Sequence, residues 1–151
     1  MSVINDALSL EHPAYRTSPR KGWGGYTCRV TLLGVISADA GRRLLRKLMP
    51  NLTKDQYRQV GLEHVKLALL HAAAWSTKVN EACIATFGRP YGFHDYRVSG
   101  IARDEFCEED KNALRAHAHK QGHHHQLAIF HLMAAGHQHH TAIQICRDNG
   151  L

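Results

Sequence analysis

The stretch Thr53–Phe87, TKDQYRQVGLEHVKLALLHAAAWSTKVNEACIATF, decides the fold. Thr53 offers a side-chain oxygen to the open N–H groups of a helix start. Gln56 stands three residues on as the reciprocal partner of a capping box, and Asp55 adds a carboxylate to the first turn. Helical periodicity then runs to Phe87, where Gly88 tolerates the left-handed C-cap and Pro90 forbids continuation. Leu67, Leu69, Leu70 and Ala72 to Ala74 spread apolar surface over more than one face, which marks this as the central helix. At 1.5 Å per residue it is about 50 Å long, too long for a compact globule of this mass. The expectation is a break near Gly61 or around Ser76 and Thr77, or a projecting element that joins two copies as a homodimer through residues 53–87. His64 and His71, seven residues apart, share a face and read as core or interface histidines.

Downstream, Asp104, Glu105, Glu108, Glu109 and Asp110 gather where a helix begins, and His117, His119 and Lys120 where it ends. That order complements the helix macrodipole and needs no catalytic explanation. Gly122 separates it from another helix, roughly 123–135, carrying Leu127, Ile129, Phe130, Leu132 and Met133. After Gly136 a last helix, roughly 138–147, buries Ala142, Ile143, Ile145 and Cys146 before Asn149 and Gly150 cap it. These last two helices have helix-turn-helix spacing, with Gln138, His139, His140, Thr141 and Gln144 available to base edges. No Lys or Arg precedes Arg147 on the final helix, so an ordinary helical hairpin is the preferred reading.

Upstream, Ser37 caps and Asp39 opens the segment ADAGRRLLRKLM, which Pro50 ends. Leu44, Leu45 and Leu48 form its apolar stripe, and Arg42, Arg43, Arg46 and Lys47 make the rest a basic face. The run YTCRVTLLGVI, residues 26–36, reads as a strand whose best partner is 91–101. Residues 1–25, with Pro13, Pro19, Gly22, Gly24 and Gly25, read as an irregular basic arm after a short helix at 2–9. The fold class is therefore mostly α, a helix-dominated α+β domain over 26–151. It is a helical bundle around a long central helix with a small two- or three-stranded β element.

A chain of 151 residues, 44% hydrophobic and 21% charged, supports one core and is neither disordered nor fibrous. Its longest apolar run falls far short of the ~20 residues that span a bilayer, so no membrane role is expected. Cys28, Cys83, Cys107 and Cys146 form no CxxC pair, and the start MSVINDALSLEHPAYR has no secretory pattern. Together these point to reduced thiols in the cytoplasm. Net charge is +6, and its placement matters more than its sum: residues 1–60 hold 10 Lys/Arg against 4 Asp/Glu, while 61–151 hold 9 of each. The excess concentrates at Arg16, Arg20, Lys21 and Arg29 and again at Arg42, Arg43, Arg46 and Lys47. Such a surface attracts phosphate backbones or carboxylates. The leading expectation is a non-enzymatic regulatory or adaptor protein that binds an acidic partner there, nucleic acid first and an acidic protein surface second. An inhibitor or adaptor with no nucleic-acid role is the variant of that reading.

Nine of the 13 histidines fall in residues 117–140. His119 with His123 has i,i+4 spacing, His137 with His140 has i,i+3, and His124 lies two turns before His131. The alternative expectation is accordingly a histidine-rich metal-binding protein using His119, His123, His137 and His140, with zinc as the ion and Cys107 or Cys146 as a completing ligand. A third is a small phosphodiester hydrolase around His94 in RPYGFHDYR, residues 89–97. Neighbouring side chains on a strand point to opposite faces, so His94 and Asp95 would not meet, and no residue is assigned a catalytic role.

Overall fold

The computed structural model describes residues 17–21, 27–31, 38–91 and 105–151. Helices dominate it: α1 (Ala38–Leu48), α2 (Lys54–Phe87), α3 (Glu108–Ala134) and α4 (His139–Asp148). Ahead of them a short antiparallel ladder joins β1 (Thr17–Lys21) to β2 (Thr27–Thr31), with Thr17 opposite Thr31 and Lys21 opposite Thr27. The expected strand 26–36 is described over 27–31, and it pairs there with 17–21, within the stretch expected as an irregular arm; its expected partner 91–101 lies, Tyr91 apart, outside the described residues, as do the helix at 2–9, Arg16, the arm's boundary at 25, and His94.

Both ends of α2 form as the local chemistry requires. Thr53 Oγ1 accepts from the Gln56 N–H at 3.2 Å while the Gln56 side chain accepts from the Thr53 N–H at 2.9 Å, closing the capping box. At the other end Gly88 turns left-handed at φ 72° and donates its N–H to the Ile84 carbonyl. Between them the 34 residues run without interruption, so of the two alternatives expected for this length the break is the one that fails. Gly61 is a point of close packing instead of a hinge. A Cβ there would stand 3.0 Å from Leu132 Cγ and 3.2 Å from the Ala128 carbonyl oxygen, so the missing side chain lets α3 approach closely.

Gly122 does not separate two helices either: α3 is one helix of 27 residues. Glycine in a helix interior costs only about 1 kcal/mol relative to alanine. The apolar side chains buried beyond it (Leu127, Ala128, Phe130, Leu132) outweigh that cost. α2 and α3 thus form an antiparallel pair, and this pairing is the principal interface of the fold.

Two apolar clusters hold the pair. Leu45, Met49, Tyr57, Val60, Val65, Leu127, Leu132, Ala142 and Cys146 belong to the larger, which also fastens α1 and α4. The smaller joins Val79, Ala82 and Cys83 to Phe106 and Leu114 near the other end. There Lys78 bridges to Asp110 at 2.9 Å across the two helices. Cys83 and Cys146 are buried, and Cys107 is exposed. Among the described residues no helix is long and apolar enough to cross a membrane.

Candidate functional site

Two groups of side chains carry chemistry beyond packing. The first is the basic face of α1. Leu45 is fully buried, which turns Arg43 and Lys47 outward on consecutive turns. Arg46, expected on the same binding face, is engaged elsewhere: its Nε and Nη2 donate to the Ala134 carbonyl at 3.1 and 2.7 Å. That carbonyl lies in the last turn of α3, where intrahelical partners run out, so the guanidinium caps a helix end. Arg42 is only 33% exposed at its side chain and pairs with Asp39 at 3.4 Å. Arg43 and Lys47 are exposed, and Arg46, exposed as well, commits its Nε and one Nη to that carbonyl. By its backbone, the ladder carries Arg20 and Lys21 on β1 and Arg29 on β2.

The second group is a seam of imidazoles between α2 and α3. His64 and His71 stand one heptad apart on α2, and His117, His124 and His131 follow at the same interval on α3. Because the helices are antiparallel, the rings interdigitate in the order His131, His64, His124, His71, His117. Successive centroids lie 5.2, 5.1, 5.7 and 5.6 Å apart. His71 and His124 stack nearly parallel, with 6° between their planes.

Hydrogen bonds account for the polarity buried here. The His64 and His124 Nδ1 atoms are 2.9 Å apart, so one ring donates its N–H to the other's lone pair. His131 Nδ1 lies 2.7 Å from the Leu127 carbonyl, which fixes the proton on that nitrogen. The His71 and His117 Nδ1 atoms are 3.3 Å apart at the outer end. Exposure grades along the seam: His131 and His64 are fully buried, His124 is 3% exposed, and His71 and His117 are half-buried.

Burial governs the protonation of the inner rings. Loss of hydration, followed by the neighbouring His131, His124 and His123, pushes His64 down to about 2. Loss of hydration, followed by His123, His71 and Lys120, holds His124 at about 4. His71 is lowered by burial first and then by Lys120 and His117. His64 and His124 are accordingly neutral at pH 7.

The histidines expected to hold a metal are not gathered at one point. His119 and His140 are exposed, on α3 and α4; His123 is half-buried beside His124, and His137 is half-buried in the turn between the helices. Among the described residues no three His, Cys, Asp or Glu side chains are grouped to hold an ion. The reason is geometric. A helix carried through Gly122 directs residues 117, 124 and 131 to the partner helix and leaves 119 and 140 in solvent. The sequence signal that finds the seam is the seven-residue interval shared by His64–His71 and His117–His124–His131. Only its segments 64–71 and 124–131 are recognisable if a break is placed at Gly122.

No protein-family model, curated protein or solved structure matches the chain.

Proposed function

We propose that the protein is a non-enzymatic regulatory or adaptor protein of the cytoplasm that holds an acidic partner, nucleic acid before an acidic protein surface, against its basic N-terminal part. The observation that supports this reading is the segregation of charge. Residues 1–60 carry 10 of the 19 Lys/Arg and only 4 of the 13 Asp/Glu, and within them Arg43 and Lys47 point outward from a helix anchored by Leu45 and Arg46. In this reading a small β element bearing Arg20, Lys21 and Arg29 extends the surface, and Arg16 reaches the partner from the arm. Arg46 serves the surface indirectly, by fastening α1 to the end of α3, while Arg42 pairs with Asp39 on its own helix.

Titration of short duplex DNA and RNA at several salt concentrations tests the proposal. Counterion release predicts a negative log–log salt slope that becomes shallower by about 2 when Arg43 and Lys47 are both replaced by alanine, roughly 0.9 for each phosphate that is no longer neutralised. Negligible binding, or a slope indifferent to the double substitution, sinks the nucleic-acid reading. A protein partner would instead find an open groove of about 510 Å³ beside α2. Its lining sets apolar Leu62, Val65 and Leu69 among Asp55, Arg58, Glu63 and Lys66. Self-association through 53–87 would use the outward face of α2, where Leu70 is 65% and Ile84 54% exposed.

A further inference from the structure

The five-histidine seam is not used by an acidic-partner surface, and its two ends differ. At the inner end the His64 and His124 Nδ1 atoms are at hydrogen-bonding distance, 2.9 Å, in a region closed to solvent. At the outer end the His71 and His117 Nδ1 atoms are 3.3 Å apart and half-exposed. Two nitrogens bound at 2.0–2.1 Å to one tetrahedral ion are separated by about 3.3–3.4 Å, the edge of the coordination tetrahedron. The outer pair already has that separation; the inner pair is too close for it.

We propose that His71 and His117 form a two-histidine clamp for one borderline divalent transition ion of the zinc class, bound through the two Nδ1 atoms at the solvent-facing end of the seam.

Three further features suit the outer pair to this role. The two ligands stand on different helices whose relative position is set on both sides, by the Lys78–Asp110 bridge at 2.9 Å and by the inner imidazoles. Little ordering therefore remains to be done when the ion arrives. Both ligands are imidazoles facing each other through the same ring nitrogen, so a single ion can take one Nδ1 from each helix. Solvent reaches the pair, so water can complete the coordination that no third protein donor supplies. Lys120 acts against the clamp, since its positive charge already disfavours a second cation at His71. An open site with two protein ligands and a nearby ammonium is a weak site, with a dissociation constant in the micromolar range. Imidazole ligands and a tetrahedral edge select zinc over magnesium, which keeps oxygen ligands and octahedral geometry.

The test is calorimetric titration of untagged, chelator-stripped full-length protein with zinc chloride at pH 7.5, with magnesium chloride as the hard-ion comparison. The expected result is one zinc equivalent bound in the micromolar range, no magnesium binding, and at least a tenfold loss of zinc affinity in H71Q and in H117Q. Glutamine keeps a polar side chain at the half-exposed pair without a ring nitrogen, and far-UV circular dichroism confirms that each variant is folded. The exposed-histidine variant H119A/H140A should bind zinc like the parent. Long-range proton–nitrogen spectra should show zinc moving the Nδ1 resonances of His71 and His117 and leaving those of His64 and His131 in place. No stoichiometric zinc binding overturns the proposal. So does binding that survives in both H71Q and H117Q, or binding abolished by H119A/H140A, which would leave only adventitious surface imidazoles.

Discussion

Acidification should loosen the α2–α3 pair. His64 and His124 sit in the folded protein with pKa values of about 2 and about 4, against about 6.5 for an imidazole in the unfolded chain. A base whose folded pKa is depressed binds protons better when unfolded. Its neutral form therefore contributes full stability above pH 6.5, and that contribution is lost as pH falls. At pH 5 both folded rings are still neutral while their unfolded counterparts are protonated, so each costs about 1.5 pH units at 1.36 kcal/mol, or about 2 kcal/mol. The two together remove about 4 kcal/mol between pH 7.5 and 5, a large part of the 5–15 kcal/mol that typically holds a domain. Both rings are almost wholly buried, so solvent screening does not reduce the figure much. Asp110, lowered by its hydrogen bonds to Lys78 and Cys107, loses its contribution only below the ordinary carboxylate range and does not enter this window. Urea unfolding of chelator-stripped protein at pH 7.5, 6 and 5, followed by far-UV circular dichroism, reads the effect directly. H64L/H124L, which replaces both partners of the hydrogen bond with apolar side chains, should flatten the pH dependence by a similar amount. A free energy of unfolding that stays constant from pH 7.5 to 5 would refute the buried neutral seam.

Further outcomes follow from single interactions. Arg46→Ala removes two charge-assisted hydrogen bonds to the Ala134 carbonyl and should cost about 1.5–3 kcal/mol in urea unfolding, whereas Arg43→Ala on the next face should stay within about 0.5 kcal/mol. Gly61→Ala should destabilise by about 1–3 kcal/mol despite its better helix propensity, because the new Cβ meets Leu132 Cγ at 3.0 Å and the Ala128 carbonyl at 3.2 Å. Gly122→Ala, where a Cβ meets nothing within 4 Å, should raise stability by about 0.5–1 kcal/mol; equal responses at the two glycines would contradict the close approach assigned to Gly61.

Helix existence and most helix ends were legible in the sequence because they depend on interactions within one turn. The Thr53–Gln56 box, the Gly88 cap and the end of α4 at Asn149 lie within a residue or two of where cap chemistry put them, and α3 begins at Glu108, inside the acidic run that starts at Asp104 in the sequence. Apolar periodicity likewise placed Leu45, Leu127, Leu132, Ala142 and Cys146 toward a core. What a glycine does inside a long helix was not legible. Gly61 and Gly122 have the same local cost, and only the presence or absence of a facing helix decides whether either bends, packs or merely tolerates its position.

The same limit separates the two candidate sites. The sequence by itself determined the sign and location of the charge excess, since charge depends on composition alone. Whether a cation points outward or is consumed by a carbonyl 88 residues away, as Arg46 is, depends on where another helix happens to end. The sequence also contained both sets of heptad-spaced histidines, yet spacing along one helix defines only a stripe. Turning two stripes into a hydrogen-bonded seam required the antiparallel register of α2 against α3. That register is chosen by the apolar clusters on either side of the seam and by the gap at Gly61, and long-range packing of this kind is the part of the free energy that no local pattern encodes.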